Sequence, residues 1–331
     1  MSPTSYMNVI VDDKIPYIRG QIEQLADNVR YLPGSSISSE DVHDADVLIV
    51  RTRTRCDRSL LEGSKVKLIV TATIGYDHID TAYCDLAGIR WTNCPGCNAN
   101  SVCCYVHHAL EATERLNSSY TIGIVGVGHV GSLVAADLEA SGMNVFLCDP
   151  PREAAGDWVE GHNFVDLATL QAEADIITFH TPLTKDGPYA TYHLADAAFF
   201  QQLRHRPLII NASRGGVVDN KALLQALNDR LVADAVIDTW EGEPVISREL
   251  LSRVAIATPH IAGYSADGKA NATRMSLEAV AQFIGSDFVP SIVLPDAPKL
   301  TVDTLMDDSL RLKQWPEGFE EMRGNYPVRR E

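Results

Sequence analysis

A glycine-rich turn near the middle of the chain is the strongest chemical signal in the sequence. Gly126, Gly128 and Gly131 form a GxGxxG pattern between an apolar run and a helical pattern, and a second apolar run ends at Asp149. Such glycines let a pyrophosphate approach a helix N-terminus, and a carboxylate about 20 residues further on binds ribose hydroxyls. The sequence therefore predicts a dinucleotide site. Because a carboxylate would repel a 2′-phosphate, we expect NAD rather than NADP; a glycine turn without a ligand is the alternative.

Three residues that could take part in proton and carboxylate chemistry lie further along the chain. Arg214 is found in NASRGGVVD, Glu243 in DTWEGEP and His260 in TPHIAGYSADGK, and each follows a predicted strand. The loops beyond the carboxyl ends of parallel strands surround the ligand crevice of an open sheet. We therefore expect the three side chains to meet beside the nicotinamide.

Such a set suits the oxidation of a 2-hydroxy acid. His260 could accept the hydroxyl proton, because an imidazole titrates near neutral pH. Arg214 could hold the carboxylate with two parallel hydrogen bonds and polarise the carbonyl that forms. Glu243 could orient the imidazole and stabilise its cation. Taken singly, each of these residues could equally be an ordinary surface or core residue.

The elements that must position these residues are short apolar runs that alternate with longer helical patterns, as in βαβ units with parallel sheets. Runs that predict strands fall at residues 9–11, 47–50, 68–70, 122–125, 145–147, 176–179, 208–210, 232–237 and 254–257. A helical pattern at about 99–116, after the Pro95-Gly96 turn, predicts a domain boundary. The length of 331 residues suggests about two domains.

The composition excludes several classes of protein. With 28 Lys+Arg against 44 Asp+Glu, the formal net charge is −16, so we expect binding neither to nucleic acid nor to a membrane. The sequence contains neither an export-signal pattern nor a run of 18 apolar residues, so we expect a cytoplasmic protein. The seven cysteines do not supply the second pair that a zinc site needs beside a CxxC pair, so we expect reduced thiols and no metal. A redox or metal role for the Cys94-Pro-Gly-Cys97 pair is the alternative.

These segments, together with TATIGYDHID at 71–80 and PGCNANSV at 95–102, resemble those of the D-isomer-specific 2-hydroxyacid dehydrogenases. The resemblance covers roughly residues 45–285. It implies an α/β fold of two doubly wound parallel-sheet lobes, one flavodoxin-like and one Rossmann, with a short C-terminal tail. The implied parts are a substrate domain of residues 1–98 plus 263–290, an NAD-binding domain of residues 99–262, and a C-terminal segment, 291–331, that could mediate dimerisation.

The resemblance also implies roles for individual residues. Arg214, Glu243 and His260 would form the catalytic set. The cofactor NAD would contact, besides the glycine turn, Asp149, Thr181, Asp238 and Gly263. Substrate contacts would fall at Thr52, Thr73 and Tyr264.

The strings PGCNA and HIAGY…GK are most similar to those of a family member whose substrate carries a phosphate. The run IVRTRTRC supplies arginines just past a predicted strand, and we expect Arg51 to meet that phosphate beside Thr52. A solvated face of arginines is the alternative. The expected partners are thus a small phosphorylated 2-hydroxy acid and a second copy of the chain, with Phe319, Met322 and Tyr326 as an apolar turn that could dock on that copy.

Two other functions stay open at this point. One is a different D-2-hydroxyacid dehydrogenase, for example one that acts on 3-phosphoglycerate. The other is an NAD-sensing binding protein built on the same scaffold without useful turnover.

Overall fold

Runs of valine, isoleucine and leucine account for most strands of the computed structural model, which describes residues 7–159, 161 and 163–331. β-branched residues suit the pleated strand, and a wholly apolar run suits a strand covered on both faces. Val47–Val50 reads VLIV and Leu68–Thr71 reads LIVT, and every residue of both strands is buried. The strands pair in parallel throughout the two sheets.

The elements are numbered here in chain order. The strands are β1 (Asn8–Asp12), β2 (Asn28–Leu32), β3 (Val47–Val50), β4 (Leu68–Thr71), β5 (Arg90–Thr92), β6 (Thr121–Val125), β7 (Asn144–Cys148), β8 (Ile176–Phe179), β9 (Leu208–Asn211), β10 (Asp234–Ile237) and β11 (Ile256–Ala257). The α-helices are α1 (Ser39–Val42), α2 (Arg58–Leu61), α3 (Thr81–Ala87), α4 (Ala99–Ala112), α5 (His129–Ala140), α6 (Pro150–Ala154), α7 (Leu167–Glu173), α8 (Ala197–Gln201), α9 (Asn220–Asn228), α10 (Arg248–Arg253), α11 (Ala266–Ile284), α12 (Val302–Gln314) and α13 (Phe319–Gly324).

The chain divides into two units. The first contains the residues up to Asn98 together with Ser265–Asp296, and the second contains Ala99–Tyr264 together with Ala297–Glu331. Most of the predicted C-terminal segment therefore belongs to the second unit. The α/β fold of two parallel-sheet lobes predicted from the sequence is confirmed.

The first unit has a five-stranded sheet in the order β2-β1-β3-β4-β5. Apolar side chains of α11 pack on one face, against β1 and β3. Residues of α1, α2 and α3 cover the other face. Both faces of the sheet are thus buried, as the apolar sequence of its central strands requires.

The second unit has a six-stranded sheet in the order β11-β10-β9-β8-β6-β7. Helices α4, α5 and α12 pack on one face, and α8, α9 and α10 pack on the other. β6 pairs with β7 on one side and with β8 on the other. β6 is therefore the point at which successive strands begin to be added on the opposite side of the sheet. Ligands of open parallel sheets bind beyond the carboxyl ends of the strands at such a point.

The C-terminal turn that we expected to dock on a partner packs on its own chain, so that prediction is wrong. Phe319 and Met322 are only 1% and 5% exposed, and they lie in the core of the second unit. The hydroxyl of Tyr326 donates to Asp308, 2.7 Å away. Among the described residues, the helices include none that is both long and apolar enough to span a membrane.

Candidate active site

The side chains of Glu243 and His260 meet at the carboxyl end of the second sheet. Glu243 follows β10 and His260 follows β11, its parallel neighbour, so the two loops leave the same edge. Nδ1 of His260 lies 2.5 Å from Oε1 of Glu243. Because Glu243 occupies Nδ1, proton exchange with a substrate would fall to Nε2 of the imidazole.

The electrostatics of Glu243 favour its charged form. Burial acts to raise the pKa of the carboxyl, but the hydrogen bond and charge of His260 outweigh it, and the pKa lies below its ordinary value. The backbone N–H of Trp240 donates to Oε2 at 3.1 Å and adds to the shift. Glu243 can therefore stabilise a positive charge on His260.

The buried carboxylate of Asp238 organises the loop that carries His260. It accepts hydrogen bonds from the Thr258 hydroxyl at 2.7 Å and from the backbone N–H groups of Ile261 and Ala262 at 2.7 and 3.0 Å. His260 itself has a φ of 57°, a left-handed conformation rare for a residue other than glycine. Such a conformation persists only where the surroundings impose it, and here Asp238 supplies that constraint.

Arg214 lies in the loop after β9, the strand next to β10. Its carbonyl accepts from the Asn211 side chain at 3.0 Å, and its Nη1 donates to the carbonyl of Ser213 at 2.8 Å. The following residue, Gly215, packs so tightly that an added Cβ would overlap the carbonyl of Trp240. The loop of Arg214 thus lies against the segment that leads to Glu243.

The predicted dinucleotide turn directly follows β6. Gly126 has a φ of 88°, and an added Cβ at Gly131 would overlap the carbonyl of Gly126, so both positions need glycine. Gly128 caps α5, and an added Cβ there would meet nothing within 4 Å. The Asp149 carboxylate accepts from the backbone N–H of Val127 at 2.8 Å and therefore lies beside the turn.

Thr181 supplies the test of whether this turn fits a dinucleotide. Its methyl group lies against Gly126, on the side of β8. Among the described residues, its buried hydroxyl has no hydrogen-bond partner. Buried hydroxyls are normally paired, so one left open beside a glycine turn is a donor that a ligand can use. The neighbouring His180 is neutral at physiological pH, because burial lowers its pKa to about 4. Gly126, Gly128, Gly131, Asp149 and Thr181 together fit NAD.

Two more predicted contacts, Gly263 and Tyr264, come directly after the loop of His260. The ring of Tyr264 lies edge-on to the ring of Tyr326, with centroids 6.2 Å apart. Its hydroxyl is also within hydrogen-bonding reach of the Arg323 guanidinium. Gly263 and Tyr264 are thus placed at the same sheet edge as the Glu243–His260 pair.

The other predicted substrate contacts lie in the first unit. Arg51 and Thr52 follow β3, and Thr73 follows β4, its parallel neighbour, so all three lie at one sheet edge. The Thr73 hydroxyl contacts the Thr71 hydroxyl at 2.7 Å and donates to the carbonyl of Gly75 at 2.9 Å. Nη1 of Arg51 donates to the carbonyl of Lys14 at 3.3 Å, and Thr52 is exposed.

The first cysteine of the Cys94–Cys97 pair is a structural thiol. Cys94 is buried and contacts the carbonyls of Thr71 and Ala272 at 3.4 and 3.3 Å. Burial raises its pKa to about 11, so the reactive thiolate is disfavoured. The surroundings of Cys94 therefore disfavour the redox alternative for this pair.

Sequence reasoning missed two groups beside the candidate site. Nη1 of Arg323 lies 3.6 Å from Oε1 of Glu243, although no motif distinguishes this arginine. His193 bridges two acids of the same sheet edge: its Nδ1 is 3.6 Å from Asp219, and its Nε2 is 2.6 Å from Glu241. These three side chains are close enough to hold a metal ion, but the two ring nitrogens face different carboxylates. That arrangement is typical of a histidine placed between two acids.

Comparison with known proteins identifies the class. A family model described as D-isomer specific 2-hydroxyacid dehydrogenase, NAD binding domain, matches residues 106–262. The crystal structure of cofactor(NAD+)-bound 3-phosphoglycerate dehydrogenase from Entamoeba histolytica superposes with a TM-score of 0.70 at 25% identity, over 88% of this chain and 100% of that chain. The chain belongs to the D-isomer-specific 2-hydroxyacid dehydrogenases.

Its similarity to one group within this family extends over nearly the full length. The erythronate-4-phosphate dehydrogenase of Bacteroides thetaiotaomicron is 52% identical, over 98% of this chain and 97% of the relative. That of Porphyromonas gingivalis is 42% identical, over 98% of this chain and 94% of the relative. Within the family, the chain belongs with the erythronate-4-phosphate dehydrogenases, which confirms the resemblance seen in the sequence motifs.

Proposed function

We propose that this protein is an NAD-dependent dehydrogenase that oxidises 4-phospho-D-erythronate to 3-hydroxy-2-oxo-4-phosphooxybutanoate, a step in pyridoxal 5′-phosphate biosynthesis. The observation that carries the proposal is the carboxylate of Glu243 on Nδ1 of His260 at the edge of a sheet whose glycine turn fits NAD. We infer the substrate from the relatives that are named erythronate-4-phosphate dehydrogenase.

In this proposal each catalytic residue has a defined role. Nε2 of His260 accepts the proton of the C2 hydroxyl, and Glu243 stabilises the imidazolium that forms. Arg214 holds the substrate carboxylate and polarises the carbonyl that develops at C2. Gly126, Gly128, Gly131, Asp149 and Thr181 would hold NAD, which would supply the acceptor for the hydride from C2.

The phosphate of the substrate requires a local cation, because the protein carries a formal net charge of −16. Salt screens charges beyond about 8 Å, so nearby groups decide whether an anion binds. We assign this role to Arg51 with Thr52, and we assign further substrate contacts to Thr73 and Tyr264. Asp238 and Gly263 are assigned as cofactor contacts with the groups of the glycine turn.

The assignment extends to the two units and to the assembly. The first unit would bind the substrate and the second would bind NAD. We also propose a homodimer in the cytoplasm. The burial of Phe319 and Met322 means that another surface must form the dimer.

A substrate panel tests the proposed function. The purified protein is assayed by NADH absorbance with 4-phospho-D-erythronate, D-3-phosphoglycerate, D-erythronate and D-lactate, each with NAD and with NADP. We expect turnover with NAD and the highest kcat/KM for 4-phospho-D-erythronate. Turnover of D-3-phosphoglycerate alone would reassign the substrate.

The NAD-sensing alternative is tested with His260→Gln. This variant should lose at least about 10²-fold in kcat, since it removes the general base, and should bind NADH as the wild type does. The matched control is His205→Gln, which changes a histidine of the same unit paired with Asp175 at the surface. A protein that binds NADH and turns over none of the four acids would be a sensor.

A further inference from the structure

A helix at the C-terminal end of the chain brings a cation to the predicted catalytic acid. Arg323 lies on α13, and its Nη1 is 3.6 Å from Oε1 of Glu243, the same oxygen that contacts Nδ1 of His260. The guanidinium side chain is 24% exposed, so solvent screens this pair only in part. One carboxylate oxygen thus lies between an imidazole and a guanidinium.

The position of Arg323 is fixed by packing. Phe319 and Met322, on the same helix, are buried in the core of the second unit. A few residues further on, Nη2 of the buried Arg329 donates to the carbonyls of Ile261 and Ala262, each at 3.1 Å. Arg329 therefore holds the loop of His260 through its backbone carbonyls, and the packing of α13 places Arg323 beside Glu243.

Glu243 does not depend on Arg323 for its position. The backbone N–H of Trp240 and the imidazole of His260 already hold its two oxygens. A separation of 3.6 Å is longer than an ordinary hydrogen bond, so the effect of the arginine on the acid is mainly electrostatic. Removing the guanidinium should therefore leave the geometry of the pair in place while changing its charge.

The charge of Arg323 opposes a second positive charge at His260. Both cations lie beside one carboxylate, and the repulsion between the two positive charges offsets part of the attraction that each has for it. Among the described residues, the ionisable groups around this cluster include Asp238, near His260, and Tyr264 and Glu320, next to Arg323. They also include Arg329, whose Nη2 donates to the carbonyl of Ile261, the residue after His260. Glu320 is itself 3.6 Å from Arg323, and its side chain is 40% exposed, so it offsets the cation only partly.

We propose that Arg323 is a positioning residue that acts on His260 through Glu243. Its positive charge offsets part of the negative charge of Glu243 that His260 faces, and so keeps His260 from holding its proton too tightly. The proposal rests on the proposed function, because it concerns the base of that reaction. It gives the C-terminal helix a direct effect on the chemistry, in addition to its place in the core. Substrate oxidation needs the unprotonated imidazole, and Arg323 extends the pH range in which that form is present.

The test compares pH profiles of kcat/KM for 4-phospho-D-erythronate between pH 5.5 and 9.5. Arg323→Met removes the charge and keeps an apolar stem, and Arg323→Lys keeps the charge. We expect the acid limb of the kcat/KM profile of the Met variant to move upward by about 0.5 to 1 pH unit. This shift is smaller than the pKa shift between two charged groups in direct contact. On the acid side of the limb, the rate of the Met variant should fall about three- to tenfold relative to the wild type and recover near pH 9, while the Lys variant should follow the wild-type profile. The NAD KM should not change.

The matched control is Arg248→Gln, which removes an exposed arginine of the same unit that pairs with Glu317 instead of Glu243. Its profile should coincide with that of the wild type. If Arg323→Met fails to fold, Arg323→Gln replaces it. A uniform loss of rate with an unmoved acid limb would show a structural role and overturn the proposal.

A titration without substrate separates this proposal from the proposed function. The imidazole signals of ¹⁵N-histidine-labelled protein are followed with pH in the wild type and the Met variant, and the His260→Gln variant assigns the signal of His260. An upward shift in the Met variant supports the charge effect even if another acid proves to be the substrate. Equal titration curves overturn it even if 4-phospho-D-erythronate is oxidised.

Discussion

The Glu243→Gln variant examines the contact on which the proposed chemistry depends. The substitution keeps the size of the side chain and removes the charge that lies 2.5 Å from Nδ1 of His260. A hydrogen bond to a charged group contributes about 1.5 to 3 kcal/mol, which corresponds to roughly 10- to 150-fold in rate if it forms only with the imidazolium. The amide can also turn its NH₂ group toward Nδ1. That would place the imidazole proton on Nε2, where it blocks the base, so we expect a total loss of about 10²- to 10⁴-fold in kcat.

The chain offers a close control for this variant. Glu241, two residues earlier, makes a similar contact with another histidine, since its Oε1 lies 2.6 Å from Nε2 of His193. Glu241→Gln therefore removes the same charge from a glutamate–histidine pair in the same loop. Steady-state NADH formation should fall less than about threefold in this control, and NADH binding, measured by fluorescence, should be similar in both variants. Equal rates for the two variants would refute the role assigned to Glu243.

Three further predictions concern the cofactor turn, acid stability and the C-terminal helix. Gly131→Ala should weaken NADH binding at least tenfold and lower the melting temperature, because its Cβ would overlap the carbonyl of Gly126; Gly128→Ala has room within the chain and should weaken binding without the loss of stability, as fluorescence and thermal unfolding will show. Burial lowers the pKa of His180 to about 4. Between about pH 6.5 and 4, the unfolded chain therefore binds a proton at this residue and the folded chain does not. Urea unfolding should therefore show up to about 3 kcal/mol less stability as pH falls through this range, and His180→Gln should reduce the loss. Phe319→Ala should cost about 3 to 5 kcal/mol of unfolding free energy, and sedimentation should show an unchanged oligomeric state because the side chain packs inside its own unit.

The strands of the two sheets could be predicted where burial on both faces leaves an apolar run. Every run interpreted as a strand overlaps a strand of the structure. β2 and β5 were missed because they form the two edges of the first sheet, where only one neighbour covers them. Their sequences, NVRYL and RWT, mix charged and apolar residues and are partly exposed.

The candidate site was predictable to the extent that sheet order decides it. Glu243 and His260 follow two strands whose sequence order suggested neighbouring positions, and parallel pairing brings both to one edge. The contribution of Arg323 was not predictable, because it depends on how a helix near the end of the chain packs on the core. The apolar spacing of Phe319 and Met322 indicates that one face is buried but not which surface covers it. The same pattern is produced by a subunit interface and by an interior.

The interleaving of the two units has a consequence for synthesis on the ribosome. The segment from Ala99 to Tyr264 is translated before α11, whose Leu277, Val280 and Ala281 complete the core that begins with β1. The core of the second unit is in turn completed by α12 and α13. The first core is therefore complete only after α11 has left the exit tunnel, and the second only after α12 and α13 have. A nascent chain that stalls after Asp296 still exposes the apolar surface that α12 and α13 would cover.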